Sequence, residues 1–210
     1  MARNLGAIAG GALLLAIAGV SAVQWLGGAQ APLALIDPAA TLGGPFALTD
    51  EDGGRVTETT WRGRFVLLYF GYRYCPDVCP TELAKMVEAY ELLPQAVQAR
   101  TVLAFATVDP ERDDAAGLRD YTDLFHPALI GLTGTQAQTD AAARAFRVYH
   151  HRVTQGRDAQ AYLLDHSSFT YLLGPDGRTA QVFPTTTTAE AIAADLARRV
   201  APALAQRRLP

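Results

Sequence analysis

Cys75 and Cys79 are the only cysteines in the chain, and each is followed directly by a proline in the run Cys75-Pro-Asp-Val-Cys79-Pro80. A disulfide that closes a loop of three intervening residues removes little unfolded-state entropy, so the pair makes a poor structural staple. Thiolate chemistry is the better use: attack on a disulfide, or ligation of a metal ion. Disulfide exchange ordinarily uses Cys-x-x-Cys. The extra residue here changes the relative placement of the sulfurs, which suits two ligands closing on one ion while still permitting an oxidised form.

Two thiolates alone suit a soft ion such as Cu(I), and a third, nitrogen ligand would help to hold Cu(II) as well. Four histidines are available: His126, His150, His151 and His166. His126 precedes Pro127 at the end of a helical pattern, where a surface role is the plain reading. His150 and His151 are adjacent in a polar stretch; if extended they point to opposite faces and cannot chelate together. His166 lies in the short polar break Asp165-His-Ser-Ser168 ahead of an apolar strand. It is the best candidate for a third ligand, against the ordinary alternative of a structural histidine. Asp109-Pro-Glu-Arg-Asp113 lacks the glycine and spacing of a calcium loop and reads as a turn and helix start, with Asp109 near the site. Met86 belongs to an apolar helix face. Tyr69, Tyr72 and Tyr74 read as packing residues.

These residues need a frame. Phe46 to Thr57 alternates and turns at Asp52-Gly-Gly54, the pattern of a hairpin. Phe65-Val-Leu-Leu-Tyr-Phe70 is a continuous apolar run, as expected of a strand buried on both faces, and it leads into the cysteines. Leu83, Met86, Val87, Tyr90 and Leu93 then recur at helical spacing. A second buried strand spans Thr101–Val108. Leu118, Tyr121 and Phe125 mark a helix, and Ala128–Leu132 a third strand. Thr135 with Gln138 predicts a capping box for a helix running to about Phe146. A short strand is expected at Tyr162–Leu164. Phe169–Leu173 and Thr179–Phe183 flank the turn signal Gly174-Pro-Asp-Gly177, and Thr187 with Glu190 predicts the cap of a last helix. Strands alternating with helices, followed by a hairpin, imply an α/β fold with a mixed sheet between helix layers. In such a sheet the turn after a buried strand is a preferred reactive site. A thiol at the opening of the following helix feels the positive end of the helix dipole, which favours thiolate. Both prolines suit a turn or that helix opening, and would stiffen the loop.

The 210 residues allow one domain and an appendage; hydrophobic residues make up 50%, charged residues 19%, and the net charge is −3. No basic excess exists for gripping a phosphate backbone, so nucleic acid is not an expected partner. Between Arg3 and Asp37 no charged residue occurs. Leu5 to Leu26, as a helix, would be about 33 Å long, enough to cross a bilayer core of about 30 Å. The expectation is an uncleaved transmembrane anchor with a cytoplasmic N-terminus, set by Arg3. The alternative is a signal peptide cut after Ala29-Gln-Ala31. Residues 1–30 would be anchor and the start of a Gly/Ala/Pro-rich tether, and residues 31–210 the folded domain, outside the cytoplasm where disulfides persist.

Cys75-Pro-Asp-Val-Cys79-Pro80, Val108-Asp-Pro-Glu-Arg-Asp113, Ile130-Gly-Leu-Thr-Gly134, Asp165-His166-Ser167 and Tyr171-Leu-Leu-Gly-Pro-Asp-Gly177 occur in that order. Together, over roughly residues 40 to 200, they resemble the Sco/SenC family of membrane-anchored, thioredoxin-fold copper proteins. The resemblance implies a thioredoxin-like domain that binds Cu(I) and Cu(II) through Cys75, Cys79 and His166. It implies a metallochaperone rather than an enzyme, one that helps to assemble the dinuclear CuA centre of cytochrome c oxidase. The implied partners are the oxidase subunit carrying CuA and another periplasmic copper chaperone. The short, Arg-poor N-terminus favours a bacterial membrane facing the periplasm over a mitochondrion. A thiol–disulfide oxidoreductase, with Cys75 attacking and Cys79 resolving, stands beside this reading and can coexist with it, since a cysteine-ligated target must be reduced before it accepts copper. A peroxiredoxin-like peroxidase is a further alternative, to which the paired thiols and downstream histidine are poorly suited.

Overall fold

The computed structural model describes residues 42–154 and 162–206. The expected anchor, Leu5 to Leu26, lies outside them, and among the described residues no helix is long and apolar enough to cross a membrane.

The strands are β1 (Ala47–Asp50), β2 (Arg55–Thr57), β3 (Phe65–Gly71), β4 (Thr101–Thr107), β5 (Leu129–Thr133), β6 (His150–Thr154), β7 (Tyr162–His166), β8 (Phe169–Leu173) and β9 (Thr179–Pro184). The helices are α1 (Val78–Glu91), the single turn α2 (Gln95–Gln98), α3 (Ala115–Thr122), α4 (Gln136–Ala145) and α5 (Ala189–Gln206). Seven strands form one sheet in the order β2-β1-β5-β4-β3-β8-β9. β3, β4 and β5 are parallel neighbours, and the remaining pairs are antiparallel. This is the mixed sheet flanked by helices that the alternation of patterns predicts.

Every residue of β3 and β4 is buried, which accounts for the unbroken apolar runs: a central strand covered by helices on both faces has no polar side to show. α1 covers one face through Leu83, Met86, Val87 and Ala89. Phe46, Phe70, Phe146 and Tyr171 pack on one another, edge to ring except for the tilted Phe70–Phe146 pair. The capping box of α4 forms as predicted, with the Thr135 hydroxyl accepting from Gln138 N and the Gln138 side chain accepting from Thr135 N. The last helix starts one residue later than predicted: Thr188, not Thr187, accepts the amide of Ala191.

β6 and β7 differ from expectation. They form a separate two-stranded antiparallel ribbon in which His150 lies opposite His166. His150–Thr154 reads as a polar stretch in the sequence, and its residues are exposed or half-buried on both faces, so it carries no alternation to mark a strand. β7 also runs on through Asp165 and His166, which the sequence reading assigns to a polar break. The ribbon begins at the end of α4, where Val148 N bonds Ala143 O and Arg147 N bonds Arg144 O. Arg147 takes the left-handed conformation there (φ 54°), a position usually given to glycine.

The two ends of the sheet carry different things. The cysteines follow the C-terminal end of β3. The described chain begins at the opposite end, where Leu42 O accepts from the Thr179 hydroxyl at 2.9 Å; Thr179 pairs with Leu173, which pairs with Val66 near the start of β3.

Candidate metal centre

Cys79 is the second residue of α1, and Cys75 lies in the turn between β3 and that helix. The Cys79 amide donates to the Cys75 sulfur at 3.4 Å, so an otherwise unpaired N–H of the first helical turn serves the thiol ahead of it. Pro80, the third helical residue, has no N–H to leave unsatisfied. Gly71 closes β3 immediately under the site: a Cβ there would lie 2.7 Å from Cys79 Sγ and 2.9 Å from the Phe105 ring. Only glycine lets the sulfur sit this close to the strand.

β7 brings His166 to the same place. Its Nδ1 lies 3.0 Å from the carbonyl oxygen of Ser167; a carbonyl can only accept, so Nδ1 carries the proton and Nε2 presents a lone pair. Nε2 lies 3.2 Å from Cys79 Sγ. Tyr69 and Tyr72 stand edge-on to the imidazole. The ligand atoms of Cys75, Cys79 and His166 all fall within 4.8 Å of one another. Sulfur and imidazole ligands sit about 2.0–2.3 Å from a d¹⁰ ion, so two on one ion are at most about 4.6 Å apart. The three atoms could therefore share an ion after shifts of a few tenths of an ångström. Two soft sulfurs and an imidazole nitrogen form a donor set suited to copper. A cavity of about 400 Å³ lined by Tyr72, Cys75, Pro76, Leu164 and His166, among others, opens onto it.

The two thiols are not equivalent. The Cys75 thiol is pushed down to about 4, chiefly by its hydrogen bond from Cys79, with the amides of Asp77 and Cys79 adding to the effect against burial. The Cys79 thiol is pushed up, because it keeps the proton it donates and because it is deeply buried. The pair thus shares one proton, with the negative charge on the sulfur nearer the cavity. Burial beside Cys79 also pushes the Tyr69 hydroxyl up, so it stays neutral.

Of the four histidines only His166 joins the cysteines. His126 accepts the Ala128 amide at Nδ1 (2.9 Å) and packs on Tyr90. His150 faces Asp140 at 3.5 Å, and His151 is exposed on β6. Met86 is core. Asp109 is buried near the site, where it bonds Tyr162 and Arg112. Sequence reasoning misses the polar roles of Tyr72, which it takes for a packing residue, and of Arg73, which it does not single out. The Tyr72 hydroxyl accepts the Leu164 amide at 3.1 Å, and the Arg73 backbone and side chain both bond the fully buried Asp113. Both contacts span long stretches of sequence, and nothing local signals them. Burial pushes the Asp113 carboxyl up, against hydrogen bonds from Thr107 and Arg73 that favour its charge.

Residues 36–201 match the SCO1/SenC family. The chain is 39% identical over 162 residues to the human mitochondrial protein SCO1 homolog, covering 77% of this chain and 54% of that protein. It spans about half the length of the curated relatives it matches. Among solved structures, yeast Sco1 with copper bound superposes with a TM-score of 0.71 at 34% identity, covering 81% of this chain and 96% of that one. Copper-bound ScoI of Arabidopsis thaliana gives a TM-score of 0.69 at 35% identity, covering 77% and 99%. By sequence match and by fold, the chain is a member of the SCO1/SenC family.

Proposed function

We propose that this protein is a copper-binding metallochaperone that delivers copper to the CuA centre of cytochrome c oxidase, with Cys75, Cys79 and His166 as its ligands. The observation that carries the reading is the convergence of two sulfurs and a lone-pair imidazole nitrogen within 4.8 Å at the mouth of an open cavity. Copper bound to relatives of the same fold supports it. Copper is cargo here. Transfer runs by ligand exchange: thiolates of the recipient subunit enter through the cavity and replace the protein's ligands one at a time. Cys79 takes back a proton as its sulfur is released. The domain, residues 31–210, works in the periplasm, anchored through Leu5 to Leu26, and receives copper from another periplasmic chaperone.

A second reading has its own observation. A Cys75 thiol pushed down to about 4 beside a protonated Cys79 is also the starting state for disulfide exchange. Cys75 would attack a target disulfide, releasing one target thiolate, and Cys79 would then displace the other, so that two electrons pass to the target and a Cys75–Cys79 disulfide remains. That step needs no histidine.

Titration of the reduced protein with copper against a competing chelator, beside His166→Ala, tests the assignment. One equivalent bound tightly and clearly weakened in His166→Ala is the expected result, and Cys75→Ser or Cys79→Ser should abolish tight Cu(I) binding while the domain stays folded. Histidine-independent, weak binding, with reductase activity retained in His166→Ala, would transfer the assignment to disulfide exchange.

A further inference from the structure

His166 is carried by a ribbon that does not pair with the main sheet, so the backbone ladder that fixes β3 does not fix the histidine. Besides the bond from the Leu164 amide to the Tyr72 hydroxyl, β7 is held at its first residue by the segment between β4 and α3. Tyr162, the first residue of β7, donates its hydroxyl to Asp109 Oδ1 at 2.8 Å. Its carbonyl accepts from Arg112 at 3.2 Å. The Arg112 and Arg152 guanidinium carbons lie 3.6 and 3.9 Å from the centre of its ring. Arg112 is itself held by Asp109 Oδ2 at 2.6 Å, and Arg152 by Glu111 at 2.6 Å.

The same short segment grips the cysteine side. Asp113, with no exposed surface, accepts the Arg73 amide at 3.1 Å, Arg73 Nε at 3.1 Å and the Thr107 hydroxyl at 2.6 Å. Arg73 also donates to the carbonyl of Arg112, and Arg112 lies over the Tyr74 ring at 4.8 Å. Arg73 and Tyr74 are the two residues that lead into Cys75.

We infer that Asp109, Arg112 and Asp113 form a two-armed brace that sets the spacing between the cysteine pair and His166. The Asp113 arm fixes the turn carrying Cys75 through Arg73. The Asp109–Arg112 arm fixes the ribbon carrying His166 through Tyr162. Tyr162 and Asp109 are positioning residues: neither is among the three ligands, and they act by holding the imidazole where the sulfurs need it before an ion arrives. The inference rests on the assignment of His166 as a copper ligand. Because two thiolates alone retain Cu(I) whereas Cu(II) depends more on the nitrogen, loosening the histidine arm should separate the two oxidation states.

The test is Tyr162→Phe, which removes one hydroxyl and keeps the ring between its two arginines. Three readouts are taken: Cu(I) and Cu(II) affinity by chelator competition, the same affinities in the His166→Ala background, and amide hydrogen exchange of residues 162–168 in the metal-free protein. Tyr162→Phe should weaken Cu(II) binding about tenfold, the loss usual for a partner behind a metal ligand, and weaken Cu(I) binding less. It should add nothing to His166→Ala, and it should speed exchange at the Leu164 amide without metal. An equal loss in both backgrounds, or unchanged Cu(II) affinity, overturns the brace. If wild type and His166→Ala bind copper alike, the ligand assignment has failed instead, and the metal-free exchange then decides the brace alone: unaltered exchange overturns it. Should Tyr162→Phe not fold, Arg112→Lys, which keeps the charge and loses the planar fork, takes its place in the same comparison.

Discussion

Cys75 and Cys79 enter the reaction with one proton between them. Because the Cys75 thiol sits near 4 and the Cys79 thiol is pushed up, the metal-free pair carries a single negative charge through the neutral range. Binding Cu(I) to both sulfurs should then release one proton, from Cys79, whereas two ordinary thiols with values near 8.5 would release about two. Affinity should rise about tenfold per pH unit between about pH 7 and 8, not a hundredfold. Calorimetry in two buffers of different ionisation enthalpy measures the proton count, and a count of two would show that the sulfurs titrate independently. The same depression ties Cys75 to stability. Its contribution is fully present above the ordinary thiol range near 8.5 and is lost as pH falls through about 4. At this scale the sequence is an open guide, because sulfur and imidazole advertise their chemistry by type. It does not reach the polar work of Tyr72 and Arg73, which depends on partners at Leu164 and Asp113 that only folding brings near.

β3 and α1 hold the cysteines by a close approach with no slack. Gly71→Ala would put a methyl group 2.7 Å from Cys79 Sγ and 2.9 Å from Phe105, and all three groups are in the buried core. The substitution should destabilise the domain by about 1–3 kcal/mol, the usual cost of overpacking, and weaken Cu(I) binding by displacing the sulfur. Urea unfolding and chelator competition measure the two effects. Lost stability with unaltered Cu(I) affinity would show that the strand does not set the sulfur's position. Elements with a buried face are the ones the sequence makes legible: β3 and β4 as unbroken apolar runs, α4 through its capping box. Of the β6–β7 ribbon the sequence marks only the start of β7; β6 escapes notice because residues such as Arg152 and Thr154 are exposed and show no apolar alternation. Arg147, in a conformation usually marked by glycine, hides the point where the chain leaves α4 for the ribbon.

Over the described residues as a whole, the Cys75–Cys79–His166 cluster and the first described residues occupy opposite ends of the sheet. A folded domain fused ahead of residue 42 should therefore leave Cu(I) affinity unchanged, as a titration before and after its proteolytic removal would reveal; weaker binding in the fused protein would mean that the two ends communicate. Between them runs β3, whose seven residues extend about 20 Å through a core packed on both sides. The sheet acts as a stiff spacer. An ion held by Cys75, Cys79 and His166 would therefore stand at the end of the sheet away from Leu42, reachable through the cavity beside Cys75 without disturbing the end where the described chain begins.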